Sequence, residues 1–193
     1  MVEEGKPDRR AGRHLILGGA RSGKTGHAIA LAKSLAAARN AEVTYVATAQ
    51  PLDEEMQHRI SLHRAERPAH WHTLEAPANL ARALSGQDMQ SILLVDCMTL
   101  WLSNALLLDF QDDAPVAALP AWDAERTALL EWLDRWRGEV LLISNEVGSG
   151  IVPLSSLSRR FQDEQGRLNQ ALAAICERVT LVVAGIPVAV KGA

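Results

Sequence analysis

The sequence predicts an α/β domain in which a mostly parallel sheet is covered by helices on both faces. Several short runs are apolar at every position, as in strands buried on both sides, and stretches of helix-forming residues alternate with them. The chain has 193 residues, of which 48% are hydrophobic and 22% charged, and these values are typical of one globular domain. A glycine-rich segment lies between the first apolar run and the first helical one.

The amino-terminal part contains two predicted strands and two predicted helices. His14–Leu17 is compatible with a short strand, and Lys24–Ala38 is rich in Ala and Leu and free of proline, which favours a helix. Val43–Ala47 is β-branched and aromatic, as in a buried strand. From Asp53 to about Ala65 a helix is predicted, with acidic residues in its first turn where the helix dipole favours them, and Arg67-Pro68 interrupts it.

The rest of the chain alternates in the same way. Apolar runs predict strands at Ser91–Val95, Glu139–Ser144 and Thr180–Ala184, the last followed by the proline-broken run Ile186–Val190. Helical patterns cover Ala121–Arg137 and Leu157 to about Arg178, and surface loops are predicted at Ser85–Gln90 and Gln111–Pro120.

Composition excludes several classes of protein. A net charge of −3 argues against a nucleic-acid binder that neutralises phosphates, and two cysteines are too few for a disulfide scaffold. No apolar stretch is long enough for a membrane span. Residues 1–13 are polar and lack the apolar core of a secretory signal. We therefore expect a disordered extension at 1–13, a single domain at 14–193 and a cytoplasmic location.

The strongest functional signal is the segment GGARSGKT, Gly18–Thr25. It fits the pattern G-x-x-x-x-G-K-[ST], with a predicted strand before it and a predicted helix after it. Its glycines let successive backbone N–H groups converge on phosphate oxygens at a helix N-terminus. Lys24 would reach the β- and γ-phosphates, and the Thr25 hydroxyl would bind Mg²⁺. The sequence thus predicts a P-loop NTPase fold with a RecA-like sheet. The nucleotide-binding residues predicted in this loop are Gly18, Gly19, Ala20, Arg21, Ser22, Gly23, Lys24 and Thr25.

A second Mg²⁺ ligand is predicted at the end of a strand. Asp96 follows Ser91–Val95, and ligands of open α/β sheets gather at the carboxyl ends of strands. The adjacent Cys97 is interpreted as a small buried hydrophobic residue. The loop and this acid predict a bound nucleoside triphosphate with Mg²⁺, but kinases, ATPases and GTPases share both features.

Three further features bear on the predicted crevice. Thr48-Ala49-Gln50 follows a strand and would point into it. On the next helix, His63 shares a stripe with Met56 and Ile60, where a histidine is more often a packing residue than a functional one. Asn145–Gly150 follows another strand and fits a ligand-facing loop and a simple strand-to-helix turn equally well.

Six blocks of sequence between His14 and Val190 together resemble one family. The blocks are GGARSGKT (Gly18–Thr25), YVATAQ (Tyr45–Gln50), MQHRISLHRAERPAHWHTLE (Met56–Glu75), LLVDCMTLWLSN (Leu93–Asn104), SNEVGSGIVP (Ser144–Pro153) and RRFQDEQGRLNQ (Arg159–Gln170). In this order they resemble the bifunctional adenosylcobinamide kinase / adenosylcobinamide-phosphate guanylyltransferases of cobalamin biosynthesis.

The resemblance also implies roles for individual residues. His63 corresponds to the family's guanylylated histidine and, with Lys24, would be catalytic. Leu62 stands where some relatives carry a second histidine, so help from that neighbour is not expected here. Besides the phosphate loop, the implied nucleotide contacts are Thr48, Ala49, Gln50, Arg64, Ala65, Glu66, Arg67, Glu75 and Asp96.

The resemblance implies two reactions on one corrinoid. Adenosylcobinamide would be phosphorylated by ATP or GTP with Mg²⁺, and GMP would then pass from GTP through His63 to the phosphorylated corrinoid, giving adenosylcobinamide-GDP. It also implies a homotrimer. Local patterns alone leave two alternatives, a P-loop small-molecule kinase or ATPase without a covalent step and a nucleotide-dependent binding module.

Overall fold

The computed structural model describes residues 12–109 and 119–192. Its strands are β1 (Arg13–Gly18), β2 (Val43–Ala47), β3 (His72–Glu75), β4 (Ile92–Asp96), β5 (Glu139–Asn145), β6 (Arg178–Val183) and β7 (Ile186–Lys191). Its helices are α1 (Lys24–Arg39), α2 (Glu54–Glu66), α3 (Leu80–Leu84), α4 (Met98–Asp109), α5 (Pro120–Arg135) and α6 (Ser156–Ile175). Residues 1–11 of the predicted extension, and most of the predicted loop at 111–120, lie outside the described residues.

All seven strands form one sheet in the order β3-β2-β4-β5-β1-β6-β7. Every neighbouring pair is parallel except β6 and β7, which form an antiparallel hairpin at the edge. The predicted fold class is therefore confirmed. A single strand, β5, separates the strand before the phosphate loop from the strand that ends at Asp96, so both features lie at the same edge of the sheet.

Alternation of side chains along the strands divides the core into two layers. On β4, Leu93 and Val95 belong to a cluster that includes residues of α4, α5 and α6. Ile92 and Leu94 face the other way, into a cluster with Ala28 of α1. Because both faces are covered, β2, β4 and β5 are buried along almost their whole length, which accounts for their continuous apolar sequences.

Four tryptophans lie in the first of these layers. The ring of Trp101 packs edge to face against that of Trp122, and Trp132 stacks on Trp136. All four are buried, so they supply core area within the chain.

Several elements differ from the sequence predictions. β3, α3 and α4 lie where no strand or helix is predicted. The predicted helix from Leu157 is too long, because α6 ends at Ile175 and β6 already begins at Arg178. None of the helices in residues 12–109 and 119–192 has both the length and the apolar character that a bilayer crossing needs.

Candidate active site

The phosphate loop lies at the carboxyl end of β1 and leads directly into α1. Gly23 is the residue before the helix and has φ +91°, a conformation that favours glycine. At Gly18, a Cβ would lie 2.4 Å from Ser22 Oγ and 2.7 Å from the carbonyl oxygen of Val182. The loop can therefore fold this closely only with glycine at both positions.

The tip of the β6–β7 hairpin contacts the phosphate loop through backbone atoms. The Gly185 N–H donates a hydrogen bond of 2.8 Å to the carbonyl oxygen of Ser22. A Cβ built on Gly23 would lie 3.1 Å from Gly185 Cα, and Gly185 itself has φ +80°. The carboxyl end of the loop is thus in backbone contact with the tip of the hairpin.

Lys24 begins α1, and its side chain folds over the loop. Its Nζ donates to the carbonyl oxygen of Gly19 at 3.1 Å. Burial lowers the pKa of Lys24, and the negative charge of Asp96 opposes that shift. The ammonium group is therefore bonded to the loop backbone and interacts electrostatically with the Asp96 carboxylate.

Asp96 is held by hydroxyl groups at the end of β4. The Tyr45 O–H donates a hydrogen bond of 2.7 Å to Asp96 Oδ2, and the Thr25 hydroxyl also bonds to this carboxylate. Burial raises the pKa of Asp96, while the Tyr45 hydrogen bond, the His63 imidazole when protonated, and the positive charge of Lys24 lower it. The carboxylate thus lies beside the first turn of α1, where the phosphate loop ends.

Thr48 fixes the backbone that carries Asp96. Its hydroxyl donates to the carbonyl oxygen of Cys97 at 2.7 Å and accepts from the Cys97 N–H at 2.8 Å. Its own N–H donates to the carbonyl oxygen of Asp96 at 3.1 Å, and the Asp96–Cys97 peptide bond is cis. Cys97 is buried, as predicted, and burial raises its pKa to about 11, so the group is a neutral thiol at neutral pH.

His63 lies in the last turn of α2, on the surface. Its side chain is 48% exposed, with Nδ1 3.6 Å from a carboxylate oxygen of Glu66. No residue of α2 is buried, so the interpretation of His63 as a packing residue is wrong. In its protonated form the imidazole lowers the pKa of Asp96, so the two side chains are close enough to interact electrostatically.

Arg67 connects the end of α2 to the same edge of the sheet. Its guanidinium carbon lies 4.0 Å from the centre of the Tyr45 ring, a cation–π contact. Tyr45 also donates a hydrogen bond to Asp96, so the Tyr45 side chain links Arg67, at the end of α2, to the Asp96 carboxylate.

The remaining predicted contact residues occupy the same edge of the sheet. Ala49 and Gln50 follow β2 and are half-buried. Arg64, Ala65 and Glu66 are exposed on the last turn of α2, near His63. Glu75 ends β3 and pairs with Ala47, the residue before Thr48. The loop that begins at Asn145 also lies here, because the Glu146 N–H donates to the carbonyl oxygen of Gly18 at 3.1 Å.

Sequence reasoning assigned no role to Tyr45, although the structure gives it two contacts at the site. The sequence did contain a signal, since Tyr45 lies two residues before the end of the buried strand β2. The last residue of β2, Ala47, pairs with Asp96 of β4. A polar group at that position can reach the neighbouring strand's last residue.

Comparison with known proteins agrees with this geometry. Residues 14–190 match the family described as cobinamide kinase / cobinamide phosphate guanyltransferase. The bifunctional adenosylcobalamin biosynthesis protein CobP of Pseudomonas aeruginosa is 52% identical, over 93% of this chain and 98% of that protein. The bifunctional adenosylcobalamin biosynthesis protein CobU of Escherichia coli is 41% identical, over 92% of this chain and 98% of that protein.

Among solved structures, the flagellar accessory protein FlaH of Methanocaldococcus jannaschii is similar, with a TM-score of 0.49 and 12% identity over 94% of this chain and 79% of that one. The family match extends over nearly the whole described chain and includes the phosphate loop, Asp96 and His63. The chain therefore belongs to the cobinamide kinase / cobinamide phosphate guanyltransferase family and is an enzyme with both activities.

Proposed function

We propose that the two activities use one nucleotide site, formed by the phosphate loop, Asp96 and the carboxyl-terminal turn of α2. In the kinase reaction the hydroxyl of adenosylcobinamide attacks the γ-phosphorus of ATP or GTP. The O–P bond forms, the bond from Pγ to the bridging oxygen breaks, and a nucleoside diphosphate leaves. The backbone N–H groups of the loop and the ammonium of Lys24 stabilise the charge on the transferred phosphoryl group.

Mg²⁺ belongs to this proposal because the oxygen atoms at the site fit it. The carboxylate of Asp96 and the hydroxyl of Thr25 are in contact at the end of the loop. Oxygen ligands of this kind are the ones that Mg²⁺ takes, and it is usually bound by only one or two protein groups together with substrate phosphates. When bound, the ion neutralises charge on the β- and γ-phosphates.

In the guanylyltransferase reaction we propose His63 as the nucleophile. Its imidazole attacks the α-phosphorus of GTP, an N–P bond forms, and pyrophosphate leaves. The phosphate of the corrinoid then attacks the same phosphorus, the N–P bond breaks, and adenosylcobinamide-GDP is released. Imidazole suits this role because its unperturbed pKa near 6.5 leaves it largely neutral at pH 7.

The observation that carries this proposal is the placement of His63. It is exposed and close enough to Asp96 to affect the pKa of that carboxyl group, whereas a residue with a packing role would be buried. The family, whose described activity includes guanylyl transfer, supplies the reaction in which an accessible imidazole can act. Contacts from Ala49, Gln50, Arg64, Ala65, Glu66, Arg67 and Glu75 to the guanine nucleotide belong to the same proposal. Thr48 is predicted with them from the sequence, but it is fully buried and its hydroxyl is bonded to Cys97, so its role is to hold the backbone at Asp96.

Labelling with GTP tests the covalent step. The protein is incubated with GTP labelled at the α-phosphate and with Mg²⁺, denatured, and digested for mapping. We expect an acid-labile, alkali-stable label on His63, and only background label in His63→Ala. His58→Ala is the matched control, since His58 is an exposed histidine of the same helix, and it should label like the wild type.

The kinase reaction provides the second readout. His63→Ala should still phosphorylate cobinamide, since the γ-phosphate is held by the loop and Lys24. A wild-type protein without label, or equal label in His63→Ala, contradicts the assignment of the nucleophile.

The proposal extends to assembly and location. We propose a homotrimer, supported by the family resemblance and by apolar side chains that are exposed to solvent in the single chain. Ile151 is 97% exposed and Leu154 is 99% exposed, within the loop between β5 and α6. We propose a cytoplasmic location because both reactions consume nucleoside triphosphates.

A further inference from the structure

Asn145 is the last residue of β5, the strand between the phosphate loop and Asp96. Its Cα pairs with that of Gly18, the first residue of the loop. The next residue is bonded to the same point, because the Glu146 N–H donates to the carbonyl oxygen of Gly18 at 3.1 Å. The end of β5 is therefore fixed next to the phosphate loop.

The side chain of Asn145 lies on the same face of the sheet as α1. Ile143 and Leu141, two and four positions earlier on β5, both belong to the core layer under α1. Since side chains alternate along a strand, Asn145 has the same orientation. By the same argument Asp96 shares the face of Leu94 on β4. The amide and the carboxylate thus leave neighbouring strands toward the helix that begins with Lys24.

The Asn145 side chain has hydrogen-bonding capacity that the protein does not use. Its Oδ1 is buried and has no hydrogen-bond partner among residues 12–109 and 119–192. Its backbone is fully paired, with the N–H donating to Thr99 Oγ1 at 2.9 Å and the carbonyl oxygen accepting from Asn169 Nδ2 at 2.9 Å. Because buried polar atoms in native proteins are nearly always paired, the unused acceptor indicates a ligand group.

A buried polar network holds this strand end from the opposite face. Ser144 Oγ donates to Asn169 Oδ1 at 2.7 Å and accepts from Gln165 Nε2 at 2.9 Å. Ser144, Gln165 and Asn169 are all buried, and the last two belong to α6. The acceptor atom of Asn145 is therefore presented by a rigid backbone, which is what orientation of a reacting group needs.

We propose that Asn145 accepts a hydrogen bond from the hydroxyl group of the phosphoryl acceptor and orients that hydroxyl toward the γ-phosphorus. This rests on the kinase reaction of the proposed function. A carbonyl oxygen needs a donor, so a hydroxyl fits and a phosphate oxygen does not. The amide takes no proton itself; the hydroxyl proton passes to an oxygen of the transferred phosphoryl group as the new O–P bond forms and the nucleoside diphosphate leaves.

The test compares transfer to cobinamide with transfer to water in Asn145→Ala. We expect kcat for cobinamide phosphorylation to fall roughly ten- to a hundredfold, the loss typical of a misplaced reacting group. KM for the nucleotide and hydrolysis of the nucleotide by water should stay within about threefold of wild type. The ratio of hydrolysis to transfer therefore rises. Labelling of His63 by GTP should be unchanged, since that reaction does not use the acceptor hydroxyl.

Two variants complete the experiment. Ser34→Ala, at an exposed polar residue of α1 outside the site, is the control and should retain wild-type transfer. Asn145→Asp keeps the shape and an acceptor oxygen, so its ratio of hydrolysis to transfer should stay near that of wild type even where the added charge raises the nucleotide KM. If Asn145→Ala does not fold, Asn145→Leu takes its place, because leucine has a similar size and no polar atom, and its ratio of hydrolysis to transfer should rise.

Three outcomes overturn the inference. The first is transfer in Asn145→Ala within about threefold of wild type. The second is a parallel loss of transfer, hydrolysis and His63 labelling, which indicates a structural or metal-bound-water role. The third is a ratio of hydrolysis to transfer in Asn145→Asp as high as that of the Ala variant. A wild-type protein that neither phosphorylates cobinamide nor labels His63 contradicts the proposed function instead.

Discussion

Asp96 shows how single side chains adjust the site, because burial and hydrogen bonding act on it in opposite directions. Burial disfavours the charged carboxylate and raises its pKa, whereas the Tyr45 O–H bonds to the ionised form and lowers it. A carboxylate that binds a divalent cation must be ionised. If Asp96 binds Mg²⁺ as proposed, we expect Tyr45 to contribute to activity through this carboxylate and not through a contact with the substrate.

This argument predicts the effect of Tyr45→Phe on the pH profile. Loss of the O–H removes a group that lowers the pKa of Asp96, so the carboxylate becomes protonated at higher pH than in the wild type. The acidic limb of the kinase kcat/KM profile should shift to higher pH. Since phenylalanine keeps the ring beneath Arg67, the cation–π contact is retained and the variant tests the hydroxyl alone. An unchanged limb, or a shift to lower pH, contradicts the role given to Tyr45.

Individual residues also show what one sequence can reveal. The pattern G-x-x-x-x-G-K-[ST] located the phosphate loop because its chemistry needs fixed residues at fixed spacing. The stripe of Met56, Ile60 and His63 led to the wrong interpretation, because helical spacing shows which residues share a face and not whether that face is covered. Only the resemblance to a known family pointed to His63.

Among the elements, α2 is the one attached most loosely. None of its residues is buried. Its first turn is capped locally by the preceding residue, Asp53, whose carboxylate accepts a hydrogen bond from the Met56 N–H at 2.7 Å. In the proposed function the phosphate loop holds the β- and γ-phosphates of GTP, while His63 has to reach the α-phosphorus. We therefore expect α2 to move toward the loop when GTP binds.

Hydrogen exchange measures this movement. Amide protons of residues 53–67 should exchange several-fold more slowly with GTP and Mg²⁺ than without them, because ordering of a loosely held helix suppresses local opening. The buried half of α6 around Leu168 and Leu172 provides the internal reference and should not change. Identical protection of residues 53–67 in both states contradicts the movement.

The elements that the sequence did not predict have a physical cause. In α4, Met98, Trp101, Leu102, Ala105 and Leu106 are buried at helical spacing. However, Leu100 and Leu107 are also apolar, so the periodic signal is weak, and only Asp96 and Cys97 separate the run from the apolar strand before it. β3 has only four residues, too few to show alternation clearly.

For the whole molecule, the sequence predicted the layers but not the order of the strands. Continuous apolar runs indicate strands buried on both faces, and this holds for β2, β4 and β5. The position of β5 between β4 and β1 depends on how the helices that connect the strands pack on the sheet. Local patterns of apolar residues in the sequence carry no information about that packing. Pro187 is accommodated because β7 is an edge strand, where a missing N–H is tolerated.

The proposed trimer gives a prediction at this scale. Sedimentation equilibrium should return about three times the chain mass of 21.0 kDa. Introducing a charge at Leu154, which is almost fully exposed, should shift the mass toward that of one chain, because a buried unpaired charge is unfavourable at an interface. Met89→Glu, on another exposed apolar residue, is the control. A wild-type mass of a single chain contradicts the trimer.

The contact between Gly23 and Gly185 ties two parts of the chain that are far apart in sequence. Both backbones are in a conformation that disfavours side chains, and a methyl group on Gly23 would come within 3.1 Å of Gly185 Cα. The conformation of the phosphate loop therefore depends on the position of the hairpin tip at the edge of the sheet. A substitution that displaces this tip is expected to weaken nucleotide binding even where it leaves every residue of the loop unchanged.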